Sequence, residues 1–168
     1  DTAFNQKVFS VCSNDRLPPG ASVNEDVTIA DHVVLADFGH YHGKWPGGLH
    51  NAQFISLMVQ SNSLNWGFNL ITRYAYADYI VCDEAELRLA CHDNQTPIPL
   101  LMERLAMRMK AQLLAVTLGH HGAMLYVGDR SSEMEGGGVI CEFPAYARKV
   151  VDRMGAGDAF LAASAPLA

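Results

Sequence analysis

Residues Asp152–Phe160 read DRMGAGDAF and are the most informative segment of the chain. The small apolar residues that follow it indicate a helix that begins near Gly157. A Gly-Ala-Gly turn at a helix N-terminus leaves several backbone N–H groups without partners, and the helix dipole favours negative charge at the same point. Gly155, Ala156 and Gly157 are therefore predicted to form an anion-binding site.

Asp158 falls in the first turn of the predicted helix, beside this anion site. A carboxylate there can accept a proton from a hydroxyl while the backbone amides hold the phosphoryl group that the hydroxyl attacks. The pattern thus indicates Asp158 as a general base in phosphoryl transfer. Two structural alternatives stay open: an aspartate that only complements the helix dipole, which is worth ~0.3–1 kcal/mol, and an ordinary strand-to-helix turn at the glycines.

Composition indicates one globular domain. The chain has 168 residues, of which 49% are hydrophobic and 18% are charged, enough to build a core. The formal net charge of −6 and the lack of a Lys/Arg cluster disfavour a nucleic-acid partner. Four widely spaced cysteines without a C-x-x-C pair are typical of reduced thiols in a cytoplasmic protein. No apolar run reaches the length of a membrane span.

Apolar runs alternate with helical patterns along the chain. Continuous apolar strands are typical of a parallel sheet that helices cover on both faces. We therefore predict an α/β fold with three α/β/α layers and a mostly parallel central sheet. The predicted strands are Lys7–Cys12, His32–Ala36, Phe54–Val59, Tyr79–Cys82, Leu113–Leu118, Ala123–Val127 and Val139–Phe143, and the predicted helices before the one near Gly157 are Asp83–Cys91 and Pro97–Lys110.

Polar residues follow several of these predicted strands and connections. Asp37, Asn62, Asp83, Thr117 and the Gly155 loop all occupy such positions. Because ligands of open α/β sheets bind at the carboxyl ends of the strands, we expect these residues to share one edge. The first residue is an aspartate, and the chain stops soon after the last predicted helix. We accordingly expect residues 1–168 to be a single core truncated at both ends.

The segment Val150–Phe160 resembles the C-terminal signature of the ribokinase-like (pfkB) carbohydrate kinases, Asp-Thr-Thr-Gly-Ala-Gly-Asp-x-Phe, with Arg153 and Met154 in place of the two threonines. Residues 116–123, VTLGHHGA, resemble the Thr-x-Gly-x-x-Gly segment on the nucleotide side of those kinases. Asp83–Glu86 resembles their Asn-x-x-Glu motif, with Asp in place of Asn. The resemblance covers roughly residues 31–168 and implies a Rossmann-like, ribokinase-like fold.

The resemblance implies an ATP-dependent kinase that phosphorylates a hydroxyl of a sugar or sugar phosphate and uses Mg²⁺. Asp158 would be the base, and Asp83 and Glu86 would steer Mg²⁺ through water. Asp152 would help to bind a monovalent cation. The residues that would line the nucleotide site are Thr117, Gly119, Gly122 and Asn62.

Each of these assignments has an alternative. Asp83 is also a favourable N-cap residue for a helix. Residues 117–122 are also typical of a tight β-hairpin turn, and Asp152 could simply be an aspartate at the end of a strand. The altered pair Arg153 and Met154 favours a non-catalytic nucleotide- or sugar-binding module as the second candidate function.

Three segments look most like kinase domains that are joined to a nucleotidyltransferase, as in enzymes of nucleotide-activated heptose synthesis. They are Asp37–Gly39, Ser61–Asn69 and Cys82–Ala90. This likeness adds a fused nucleotidyltransferase domain to the expected partners, and a homodimer is a further expectation. A pure nucleotidyltransferase is disfavoured because no His-x-Gly-His motif follows the first predicted strand.

Overall fold

The computed structural model describes residues 31–39, 52–61, 66–129, 137–147 and 154–168. Within these ranges six strands form one sheet, in the order in which they follow along the chain. The strands are β1 (His32–Asp37), β2 (Phe54–Val59), β3 (Tyr79–Asp83), β4 (Leu113–Thr117), β5 (Ala123–Gly128) and β6 (Gly138–Phe143). Strands β1 to β4 are parallel, and β5 and β6 are antiparallel to their neighbours.

Three α-helices accompany the sheet in the described ranges: α1 (Glu84–Cys91), α2 (Ile98–Met109) and α3 (Ala156–Ser164). Helices α1 and α2 end in left-handed residues, His92 with a φ of 51° and Lys110 with a φ of 56°. Short 3-10 turns lie at Ile71–Arg73, Gly119–His121 and Ala165–Leu167. None of the helices in the described part of the chain combines the length and the apolar character that a membrane crossing requires.

The helices cover both faces of the sheet. Helices α1 and α2 bury Leu87, Leu101 and Leu105 against one face, together with Leu57 and Ile80 of the strands. Helix α3 covers the opposite face in a smaller cluster, whose members are Leu161, Ala165, Met58, Tyr79, Val81 and Ala115. Successive residues of one strand therefore point into different clusters, which is why the strands read as unbroken apolar runs. The three α/β/α layers and the mostly parallel sheet are as predicted.

Sequence patterning placed the elements of the described ranges closely. Strand β2 has the predicted bounds, and the other predicted strands in these ranges agree to within one residue at either end. The helix expected near Gly157 begins at Ala156. The strand predicted over Lys7–Cys12 lies outside the described residues.

The carboxyl ends of the parallel strands form one edge of the sheet, to which we refer as the carboxyl edge. Asp37 ends β1, Gln60 directly follows β2, Asp83 ends β3 and Thr117 ends β4. Asp83 and Thr117 are register partners. The backbone N–H of Gln60 donates to the carbonyl oxygen of Asp37 at 2.8 Å, so the ends of β1 and β2 are also joined.

Candidate active site

The start of α3 lacks a capping side chain among the described residues. Gly155 is the N-cap residue and has a φ of 73°, a left-handed conformation in which glycine avoids the steric penalty of a Cβ. The N–H of Ala159 donates to the carbonyl oxygen of Gly155 at 2.9 Å, which is the first bond of the helix. The N–H groups of Ala156, Gly157 and Asp158 therefore have no acceptor within α3. This is the arrangement that binds anions at helix N-termini.

Asp158 lies at the carboxyl edge, where the side chain of Gln60 contacts it. The Nε2 group of Gln60 donates to Oδ1 of Asp158 at 2.9 Å. A Cβ on Gly157 would lie 3.9 Å from Nε2 of Gln60 and 3.9 Å from Sδ of Met58, so the first turn of α3 rests against the end of β2. The half-buried carboxylate of Asp158 is thus beside the three open amides and within the reach of a ligand at the edge.

Buried polar groups fix the backbone around Gln60. The side-chain Nδ2 of Asn69, which is 2% exposed, donates to the carbonyl oxygens of Gln60 at 3.1 Å and of Asp37 at 3.4 Å. The Asp37 carboxylate is buried as well, and it accepts the hydroxyl of Tyr74 at 2.8 Å and lies 3.6 Å from the guanidinium of Arg73. Because buried polar groups are costly unless paired, this network holds the ends of β1 and β2 in one arrangement.

Asp83 and Glu86 form a capping box at the start of α1. Oδ1 of Asp83 accepts the N–H of Glu86 at 2.8 Å, and Oε2 of Glu86 accepts the N–H of Asp83 at 3.0 Å. The other oxygen of Glu86, Oε1, accepts the N–H of Ser61 at 3.0 Å. The N-cap alternative for Asp83 therefore describes its geometry, and Glu86 links α1 to the end of β2. Burial, aided by the charge of Asp83, raises the pKa of Glu86 to about 7.

These two carboxylates have the donor chemistry that Mg²⁺ requires. Mg²⁺ prefers oxygen ligands and keeps much of its hydration. Both oxygens of Glu86 already accept backbone N–H groups, so this residue suits contact with the ion through water. The part of the chain that the structure describes contains no group of three or more His, Cys, Asp or Glu side chains arranged around a metal position. Asp83 and Glu86 therefore fit an ion held largely by its waters and by a phosphate ligand.

Thr117, Gly119 and Gly122 lie at the connection between β4 and β5. The N–H of Leu118 donates to the carbonyl oxygen of Gly122 at 2.8 Å, and the two glycines have φ values of 59° and 99°. A Cβ on Gly122 would lie only 1.9 Å from the carbonyl oxygen of Phe143. The β-hairpin alternative therefore describes this geometry, and it accounts for Gly122 without a ligand. Thr117 still borders the carboxyl edge, next to Asp83.

The model of the pfkB family of carbohydrate kinases matches residues 50–165. The chain belongs to this family. The match includes all the described site residues from Gln60 to Asp158 and confirms the resemblance that the sequence motifs indicated.

Solved structures share the fold of this pfkB chain. Phosphofructokinase-2 from Escherichia coli in complex with potassium matches with a TM-score of 0.58 at 15% identity, over 84% of this chain and 46% of that one. A microbiome-derived acarbose kinase, Mak1, matches with a TM-score of 0.51 at 22% identity, over 83% of this chain and 42% of that one. The chain thus spans less than half the length of these kinases. No curated protein matches it significantly.

The predicted site residues of this pfkB chain fall into two groups at the carboxyl edge. The N-terminus of α3, with its N-cap residue, supplies Gly155, Ala156, Gly157 and Asp158, next to the end of β2. The ends of β3 and β4 supply Asp83 and Thr117, and the first turn of α1 supplies Glu86. Residues Gln60 and Ser61 connect the groups, since the first contacts Asp158 and the second contacts Glu86. Asn62 and Asp152 lie outside the described residues.

Sequence reasoning missed Gln60. It ends the apolar run of β2, at the position where a polar residue at the carboxyl edge is expected to face a ligand. That signal alone did not separate it from Ser61, Asn62 and Ser63, which follow it in the chain. Only the docking of α3 distinguishes Gln60, because the helix brings Asp158 to its side chain.

Proposed function

We propose that this pfkB chain carries the catalytic base and the anion hole of an ATP-dependent kinase that phosphorylates a hydroxyl of a sugar or sugar phosphate. One observation carries the proposal: the Asp158 carboxylate, fixed by Gln60, lies in the same helical turn as three backbone amides without helical acceptors. Family membership supports the general reaction. The position of Asp158 supports its role as the base.

In the proposed reaction the acceptor hydroxyl gives its proton to Asp158 as its oxygen attacks the γ-phosphorus of ATP. The bond from the sugar oxygen to phosphorus forms, and the bond from the γ-phosphorus to the β,γ-bridging oxygen breaks, so ADP leaves with that electron pair. Oδ1 of Asp158 already accepts a hydrogen bond from Gln60, which leaves Oδ2 for the hydroxyl. The amides of Ala156 and Gly157 stabilise the negative charge on the transferring group.

The metal and nucleotide assignments belong to the same proposal. Asp83 and Glu86 would hold Mg²⁺ through water, and the bound ion would neutralise charge on the nucleotide phosphates. Thr117 and Gly119 would border the nucleotide, with Gly122 shaping their turn; Asn62 would complete this side. A monovalent cation near Asp152 is part of the proposal, since the structure of the Escherichia coli phosphofructokinase-2 was solved with potassium.

The proposal extends to the setting of the whole protein. We infer a cytoplasmic enzyme that acts on a small molecule and has no nucleic-acid or membrane partner. Residues 1–168 would form one kinase core within a longer polypeptide, which would form a homodimer or carry a fused nucleotidyltransferase domain. The net charge of −6 and the absence of a clustered basic patch in the sequence support the lack of a nucleic-acid partner.

The proposal is tested on the intact gene product. Transfer of labelled γ-phosphate from ATP is measured against free sugars such as ribose and fructose and against their phosphorylated forms. ATP·Mg²⁺ binding is measured on the same sample by calorimetry. Transfer to one of the sugars supports the kinase assignment. Tight ATP binding with no transfer to any of them contradicts it and favours the non-catalytic binding module.

A further inference from the structure

We infer that Gln60 is a positioning residue that fixes the orientation of the Asp158 carboxylate for proton transfer. This inference rests on the proposed function, because it gives Gln60 a role only if Asp158 is the base. It assigns a task to a side chain that no sequence motif singled out.

The contact between the two side chains joins parts of the chain that are 98 positions apart. Nε2 of Gln60 donates to Oδ1 of Asp158 at 2.9 Å, a length typical of a good hydrogen bond. Gly157 has no Cβ, and a Cβ there would lie 3.9 Å from Nε2 of Gln60. The amide group of Gln60 therefore fits closely under the first turn of α3.

Gln60 is itself held in place by its backbone. Its N–H donates to the carbonyl oxygen of Asp37 at 2.8 Å, and its carbonyl oxygen accepts Nδ2 of Asn69 at 3.1 Å. The next residue, Ser61, donates its N–H to Glu86 at 3.0 Å. Because the backbone is fixed on both sides, only the side-chain torsions of Gln60 remain adjustable. A group held in this way can set the direction of a catalytic side chain within a narrow range.

The chemistry of an amide suits this task. A neutral N–H donor restrains one oxygen of a carboxylate without adding a positive charge that would neutralise it, whereas Lys or Arg would form an ion pair. Oδ1 of Asp158 is restrained by this bond, and no described residue donates a hydrogen bond to Oδ2. The carboxylate thus has one oxygen fixed toward the end of β2, and Oδ2 would accept the proton of the acceptor hydroxyl.

The test replaces Gln60 in the intact gene product. Gln60→Met keeps the length of the side chain but removes the donor. We expect its kcat for transfer from ATP to the best sugar of the panel to fall about 10- to 100-fold, as for a catalytic group displaced by a fraction of an ångström to about 1 Å. The KM for ATP should stay within about twofold, because Gln60 acts on the base and not on the nucleotide. Gln60→Glu should lose more, since it places a second carboxylate against the first.

Gln53 provides a matched control at the other end of β2. Its Nε2 donates to Oδ1 of Asp31 at 3.0 Å, so this exposed residue makes the same type of bond just before the amino end of the strand. Gln53→Met should leave both kcat and KM unchanged. If Gln60→Met behaves like Gln53→Met, the positioning role is overturned.

A double variant separates a positioning role from a general structural one. In the Asp158→Asn background, Gln60→Met should cause no further loss of the residual kcat, because its effect passes through the base. An equal loss in both backgrounds would overturn the inference. If Gln60→Met does not fold, Gln60→Asn replaces it, since this amide is one methylene too short to reach Asp158; a wild-type kcat in that variant would overturn the inference.

The outcomes for Asp158 distinguish this inference from the proposed function. Wild-type kcat in Asp158→Asn means that the proposed base is wrong, and the role of Gln60 fails with it. An inactive Asp158→Asn together with fully active Gln60→Met leaves the proposed function in place and removes only the positioning role.

Discussion

Two helices begin at the carboxyl edge of the sheet. Side chains cap the N-terminus of the first helix, whereas the N-terminus of the second has no such cap. Helix α1 begins with the capping box of Asp83 and Glu86, whose side chains accept two of the backbone N–H groups that the helix start leaves free. Helix α3 begins at Ala156, after the N-cap residue Gly155, which has no side chain, and no described side chain caps it. Both starts lie beside the same strand, because Glu86 contacts Ser61 and Asp158 contacts Gln60.

Because of this difference, the start of α1 contributes to stability, whereas the start of α3 stays available to bind a ligand. A capped start has already paired some of its N–H donors with side chains, and a cap typically stabilises a helix by about 1 kcal/mol. An uncapped start forgoes that gain and keeps its N–H groups for an anion. We therefore expect substitutions at the start of α3 to lower transfer with little loss of stability. Substitutions at the start of α1 should lower stability in addition to any effect on the proposed Mg²⁺ contacts.

The largest expected effect is at α3. Asp158→Asn removes the proposed base but keeps the size of the side chain, so transfer should fall by about 10²- to 10⁴-fold. The affinity for ATP·Mg²⁺ should change little. Steady-state kinetics and calorimetry on the intact gene product measure both quantities, and wild-type turnover in this variant would refute the assignment.

The next effect concerns the pH dependence of stability at α1. The pKa of Glu86 is raised from 4.5 to about 7, so the folded chain binds more protons than the unfolded chain between these values. The protonated side chain contributes its full stabilisation of the folded state below about pH 4.5, and this stabilisation is lost as the pH rises through about 7. We expect this loss to be about 1–3 kcal/mol.

Glu86→Gln removes this titration. Urea unfolding at about pH 5 and about pH 7.5 should show a smaller loss of stability with rising pH in the variant than in the wild type. Equal losses in the two proteins would mean that Glu86 ionises freely in the folded state.

A smaller effect separates the cap from the charge at Asp83. Asp83→Ala removes the acceptor for the N–H of Glu86 and should cost about 1 kcal/mol of unfolding free energy. Asp83→Asn is the matched control, because Asn caps helices as well as Asp does. It should leave stability within a few tenths of a kcal/mol of wild type. If Asp83→Asn is as unstable as Asp83→Ala, the carboxylate charge and not the cap stabilises α1.

The smallest stability effect is expected at Gly155. Asn is one of the few residues that adopt left-handed backbone conformations, so Gly155→Asn should cost only a few tenths of a kcal/mol despite the φ of 73°. Transfer should nevertheless fall, because the new side chain lies beside the open amides. Urea unfolding and kinetics on the same preparation test both parts. A stability loss larger than that of Asp83→Ala would mean that the uncapped start of α3 contributes more to stability than the capped start of α1.

The fold was predictable because its strands and helices follow from local patterns in the sequence. Buried strands such as β2 appear as unbroken apolar runs, and the glycine turn before Asp158 marks the start of α3. The placement of Asp83 at a helix start was likewise visible in the sequence. The catalytic and binding roles of these residues remain predictions.

Long-range contacts were not predictable in the same way. The role of Gln60 depends on where α3 docks, and the pattern around residue 60 carries no information about residue 158. The requirement for glycine at position 122 arises from the carbonyl oxygen of Phe143, which lies on a different strand. A single sequence identifies such residues only after the strands have been placed next to one another.

The distance along the chain between Gln60 and Asp158 has a consequence for synthesis. A ribosome that adds about 5–20 residues per second needs roughly 5–20 seconds to pass from one residue to the other. During that interval the sheet edge can assemble while its proposed proton acceptor is still being translated. The proposed site is therefore incomplete in the nascent polypeptide until α3 has been translated and has docked beside Gln60.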